Sequence, residues 1–156
     1  MPIRLVAATS EIDWRQARQL VEEYAASLEV DLSFQNFRQE MEHLELEYSA
    51  PTGAFLLAEV HGVCAGCIGL RRFADGVGEL KRLYVSPSGR GHGVGRFLVE
   101  GALAAASALG YARVVLDTLP SMQDARRLYA NLGFIPTTAY RFNPIPGTAY
   151  LEKRIS

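Results

Sequence analysis

Ser88-Gly89-Arg90-Gly91-His92-Gly93-Val94-Gly95-Arg96 is a glycine-rich loop between a run of strand type and a run of helical type. Glycine lets the backbone turn sharply and approach a ligand with no Cβ in the way. The amides of such a loop, with the first unpaired amides of the helix it opens, form an anion site. Arg90 and Arg96 add guanidinium groups that can meet phosphate oxygens. The pattern suits a pyrophosphate. It is not a P-loop, because no Gly-Lys-Ser/Thr follows. It also departs from the dinucleotide fingerprint G-x-G-x-x-G/A, whose third position falls on Val94 or Arg96. Asp117, at a strand end roughly 20 residues on, keeps that second reading open.

Downstream of the loop, Val94, Phe97, Leu98, Ala102, Ala105 and Leu109 form an amphipathic helical stripe stopped at Gly110. Arg113 to Thr118 reads as a strand. Ser121 is placed to cap a helix carrying Met122, Ala125, Leu128, Tyr129 and Leu132, ended by Gly133. Phe134 to Thr138 and Thr148 to Ile155 read as two final strands around a Pro-rich turn. Upstream, Ala54 to Val60, Val63 to Arg72 and Val77 to Val85 form an antiparallel meander with turns at His61-Gly62 and Asp75-Gly76. This meander is wrong for the opening βαβ unit of a Rossmann domain. Nearer the start, Ile3 to Ala8 is a strand, and Ser10 with Asp13 resembles a capping box before the stripe Trp14, Ala17, Leu20, Tyr24 and Leu28. A second helix is expected from a cap at Ser33, with Phe34, Phe37, Met41 and Leu44 on one face.

The chain has 156 residues, room for one domain, and no repeat or linker divides residues 1–156. Its 16 Lys+Arg and 17 Asp+Glu leave a net charge of −1. Residues 1–50 carry a balance of −6 and residues 51–156 one of +5, so an anion would favour the second part and a cation the first. No dense basic run with interleaved aromatics points to nucleic acid, and no apolar run approaches the ~20 residues that span a bilayer. The first residues lack the apolar core of a signal peptide, and two cysteines imply no disulfide framework. A soluble, cytoplasmic domain is expected.

Arg90-Gly91-His92-Gly93-Val94-Gly95 fits R/Q-x-x-G-x-G/A, the acetyl-CoA signature of the GCN5-related N-acetyltransferase (GNAT) family. Glu79-Leu80-Lys81-Arg82-Leu83-Tyr84-Val85 resembles that family's fourth strand. Ala125 to Phe134 resembles its A-x-x-L-Y-x-x-x-G-F segment. With the element order, the resemblance covers essentially the whole chain. It implies a mixed α/β fold with a mostly antiparallel sheet of about seven strands, splayed between strands 4 and 5 and flanked by about four helices. It implies acetyl transfer from acetyl-CoA, a cosubstrate, to the amine of a small molecule or peptide in a ternary complex. The pantetheine arm would meet fourth-strand backbone near Leu83, Tyr84 and Val85. The pyrophosphate would sit on amides of Gly91, His92, Gly93, Val94, Gly95 and Arg96, beside Arg90. No metal, nucleic acid or membrane is implied, and a homodimer is allowed. Where members often carry Asn, this chain has Met122, which cannot make that polar contact.

The resemblance also implies catalytic roles. Tyr129 would give its proton to the departing thiolate; the plainer reading is a core tyrosine on the stripe of Met122, Ala125 and Leu132. Glu79, its pKa raised by partial burial, would take the acceptor's proton; the plainer reading is an ion pair with Lys81, Arg82, Arg71 or Arg72. Strand alternation puts Arg82 on the face opposite Glu79, with a structural role. Cys64 and Cys67 are expected on opposite faces of their strand as inert thiols. The acceptor would be bordered by Tyr24, Phe34, Phe37, Glu45 or Glu47, and Tyr140 to Pro146. A non-catalytic acyl-CoA sensor and a nucleotide-dependent oxidoreductase are the competing readings.

Overall fold

The computed structural model describes residues 2–28 and 37–156. Its elements run β1 (Ile3–Ala7), α1 (Glu11–Ser27), α2 (Phe37–Glu42), α3 (Leu44–Glu47), β2 (Ala54–Val60), β3 (Val63–Ala74), β4 (Val77–Val85), α4 (Val94–Ala108), β5 (Arg113–Thr118), α5 (Gln123–Asn131), β6 (Ile135–Pro136) and β7 (Ala149–Arg154). The seven strands form one sheet in the order β1-β2-β3-β4-β5-β7-β6, antiparallel except for β4 beside β5. Five helices stand among the described residues, because the expected second helix is two short ones, α2 and α3. Its proposed cap Ser33, and Phe34, lie outside the described residues.

Local chemistry places these elements. Ser10 caps α1 through the Asp13 amide while the Asp13 side chain accepts from the Ser10 amide, closing the expected capping box. Alternation along β2 sends Leu56, Ala58 and Val60 to a core under α4, with Leu70, Leu98, Val99 and Leu116. Phe55 and Leu57 point the other way, into a second core with Trp14, Leu20, Val21, Leu44 and Tyr48. The sheet is therefore covered on both faces. The final hairpin is much shorter than expected on one side, since β6 has two residues and both are exposed. Beyond the buried Phe134, no residue from Ile135 to Thr138 is buried, so little holds a longer ladder.

The expected alternation is broken at three register shifts, one between β2 and β3 and two between β3 and β4. In β3, Ala58 pairs with Gly66 and Glu59 with Cys64, so Ala65 is an extra residue. Cys64 and Cys67 consequently pack on the same core, the α1 side, and not on opposite faces. Burial, with Glu59 nearby, pushes the Cys64 thiol up to about 11, and burial pushes Cys67 up further. In β4, Gly69 pairs with Lys81 and Cys67 with Tyr84, which leaves one residue extra, and Arg82 takes a left-handed conformation at φ 62°. Arg82 therefore reaches Glu40, 2.8 Å away, and Arg71 lies 3.5 Å from the same carboxylate and 3.1 Å from Glu79. The expected separation of Arg82 from Glu79 is replaced by one shared network.

Candidate active site

β4 and β5 are paired only at Val77–Arg113, Gly78–Val114 and Glu79–Val115. A bulge bends and twists its strand. The one at Arg82 turns the rest of β4 away from β5, which stays paired with β7 as far as Thr118–Ala149. The divergence opens a cleft of about 780 Å³, with Leu83, Tyr84 and Val85 on one wall, Leu119, Met122 and Leu128 on the other, and Arg90 and Gly95 at one end. A recess of about 30 Å³ shares Tyr24, Leu83, Met122 and Ala125 with that cleft, and Lys81, Asp117, Thr118 and Tyr129 also line it. It has room for about one small group.

At the cleft end the glycine loop has the geometry expected of it. Gly93 caps α4 at φ 76° and Gly91 sits at φ 83°, and a Cβ at either would meet nothing within 4 Å. Both glycines border open space where α4 begins, and the first amides of that helix suit an anion. Arg90 lies back along the strand, its Nε donating to the Val85 carbonyl at 3.3 Å. The Arg96 side chain runs instead along α4 to Glu100, 3.5 Å away, and His92 is exposed.

Tyr129 is buried, stacks on Phe134 with ring centroids 5.4 Å apart, and lines the recess. The core reading is what its packing shows, and the ring also borders the recess. Burial pushes its phenol up, aided by Tyr24 and Asp117, so it stays protonated. Glu79 is different. Its side chain is 0% exposed and takes Arg71 Nε at 3.1 Å, Arg141 Nη2 at 2.9 Å and Tyr140 Oη at 2.8 Å. Burial alone would raise its carboxyl, but Lys81, Arg71 and Arg141, with the Tyr140 hydrogen bond, hold it below the usual value. The expected raised pKa is therefore corrected to a lowered one. At Lys81 burial prevails and pulls the ammonium down, against Asp117 and Glu79.

Residues that sequence reading had not placed here complete the site. Asp117 lies at 3.6 Å from Lys81 through Oδ1 and accepts from Asn143 Nδ2 at 3.2 Å through Oδ2. Its strand-end position was visible but pointed to a nucleotide ribose. Met122 lines the cleft where Asn was expected, and accepts weakly from the Thr118 hydroxyl. Of the expected acceptor border, Tyr24 lines the cleft and Tyr140 holds Glu79. Glu45 is paired with Arg18, and Phe37 lies under the Arg82 guanidinium.

The wedged sheet and the glycine-capped helix give an α/β fold whose cleft suits a long, anionic ligand. A sequence profile described as the acetyltransferase (GNAT) family matches residues 14–134. A relative named as an uncharacterised N-acetyltransferase of Schizosaccharomyces pombe is 39% identical over 141 residues, 89% of this chain and 86% of that one. An acetyltransferase of the GNAT family from Staphylococcus aureus superposes with a TM-score of 0.81 at 18% identity, covering 99% of this chain and 100% of the other. The PaiA N-acetyltransferase of Thermoplasma acidophilum, solved in complex with coenzyme A, gives 0.72 at 18% identity over 99% and 100%. The chain belongs to the GNAT family of acetyltransferases. An oxidoreductase built on a dinucleotide fold is thereby excluded.

Proposed function

We propose that the protein is a cytoplasmic enzyme that moves the acetyl group of acetyl-CoA to a primary amine by direct attack in a ternary complex. The observation that carries this reading is the wedge itself, which joins an anion-suited helix N-terminus to a buried recess with Tyr129 in its wall. The backbone edge at Leu83, Tyr84 and Val85, unpaired toward β5, suits the amides of a pantetheine arm, as an added strand would be held. The amides of residues 91–96 suit the pyrophosphate, with Arg90 beside them. Tyr129 is the proton donor for the departing thiolate.

The test is thiol release from acetyl-CoA with a panel of spermidine, tyramine, lysine, aspartate and a short peptide with a free N-terminus, beside calorimetric titration with CoA. CoA binding and turnover with at least one amine are expected. Binding without turnover on any amine would instead mark a non-catalytic acyl-CoA sensor.

A further inference from the structure

The recess has a proton donor in Tyr129 but has lost the base expected at Glu79, which lines neither the cleft nor the recess. Among the described residues, the carboxylates that line them are Asp117 and Asp124. The Asp124 side chain is 96% exposed at the start of α5 and is paired with Arg127. The Asp117 side chain is 5% exposed and stands two residues beyond Val115, where β5 loses its pairing with β4. Asp117 stays paired with Tyr150 of β7, and its side chain lines the recess on the side that β4 has left. Its two oxygens face Lys81 and Asn143, and a carboxylate with about four lone-pair sites keeps capacity for a further donor.

We infer that Asp117 is the general base of the transfer, working in the same recess as Tyr129. This rests on the acetyltransferase reading above. The acceptor ammonium gives one proton to the Asp117 carboxylate and its nitrogen lone pair attacks the thioester carbonyl carbon. As the C–N bond forms and the C–S bond breaks, the thiolate takes the Tyr129 proton. The second nitrogen proton replaces it on Tyr129, and the first leaves Asp117 to water. Lys81 Nζ lies 3.6 Å from Asp117 Oδ1, and Asn143 fixes the carboxylate's orientation from the β6–β7 loop.

The experiment compares D117N with wild type on the fastest amine of the panel and on methoxyamine, which is uncharged at neutral pH and needs no base to free its lone pair. D117N is expected to lose about 10²–10⁴-fold in kcat/KM with the charged amine. Its loss with methoxyamine should be at least tenfold smaller, and acetyl-CoA should still bind. Because D117N leaves a buried lysine facing an amide, K81M/D117N is measured as well. Equal losses on both acceptors, a loss under tenfold with the charged amine, or recovery in the double variant would make Asp117 a mere counter-ion of Lys81 and overturn the inference. If wild type does not accept methoxyamine, the double variant decides alone. A wild type inert with every amine sinks the transferase reading and this one with it; an active wild type with an active D117N sinks only this one.

Discussion

At the scale of single residues, the proposed reaction makes its sharpest demands on Tyr129 and Gly93. Tyr129→Phe keeps the ring against Phe134 and deletes only the hydroxyl. Losing a positioned proton donor costs about 10²–10⁴-fold, so kcat should fall while the acetyl-CoA dissociation constant holds. Unchanged kcat under chemistry-limited conditions would reduce Tyr129 to packing. Because burial keeps the phenol protonated, no alkaline fall in rate should come from this residue in the ordinary assay range. Gly93→Val acts on backbone and ligand together. Its φ of 76° is strained for a β-branched residue, by roughly 1–2 kcal/mol, and the new side chain projects into open space at the helix N-terminus. Thermal unfolding should show a modest loss, and calorimetry no CoA binding. A folded Gly93→Val chain with wild-type affinity would contradict the role given to the loop.

Among the elements, α5 is the one whose placement sequence reading explained least. Ser121 was its expected cap, but the N-cap is Met122, with no side-chain capping bond. Arg126 does the tethering. Its Nε donates to the Leu119 carbonyl at 3.0 Å, and its Nη2 to those of Thr118 at 3.1 Å and Gly147 at 2.6 Å. One guanidinium thus joins α5, the β5–α5 turn that lines the cleft, and the β6–β7 loop. Arg126→Met should destabilise the fold by about 1.5–3 kcal/mol and weaken CoA binding about tenfold, read by urea unfolding and calorimetry. Arg126→Lys should not restore it, because a single ammonium cannot serve three carbonyls with a planar fork. Wild-type affinity in Arg126→Met would separate this tether from the cleft.

Over the whole molecule, the unequal charge of the two sequence parts is spent partly inside. Glu40 and Glu47 from the acidic part meet Arg71 and Arg82 from the basic part, and Arg71 and Arg141 close on Glu79. Those charges tie α2 and the β6–β7 loop to the sheet and are not available to steer a ligand. Removing one partner of such a buried set typically costs about 3–5 kcal/mol, so Glu79→Gln should be destabilised by that order at neutral pH. The sign with pH follows from the lowered carboxyl. Its contribution is full above the ordinary value of 4.5 and is lost as pH falls through the folded one. The gap between wild type and Glu79→Gln in urea-derived stability should therefore narrow on acidification below about pH 4.5. A gap constant from pH 7 to pH 3 would remove Glu79 from the acid response.

The amino-acid sequence by itself determined what depends on neighbours along the chain. The Ser10–Asp13 cap, the extent of α4, the β2–β4 meander and the glycine turn opening α4 are set by periodicity, capping and positive φ and stand where they were read, although Phe97, read on the apolar stripe of α4, is exposed. Side-chain direction beyond a bulge is not such a property. One extra residue at Ala65 and another near Arg82 reverse the alternation, and nothing in the local pattern announces them. The ion pair of Glu79 with Arg71, eight residues away across the meander, was among the sequence readings, but tertiary packing alone closed Tyr140 and Arg141 on that carboxylate from 61 and 62 residues away. It likewise brought Asp117 to the recess, because β4 parts from β5 after Glu79–Val115, which leaves the carboxylate two residues further along β5 facing the opening.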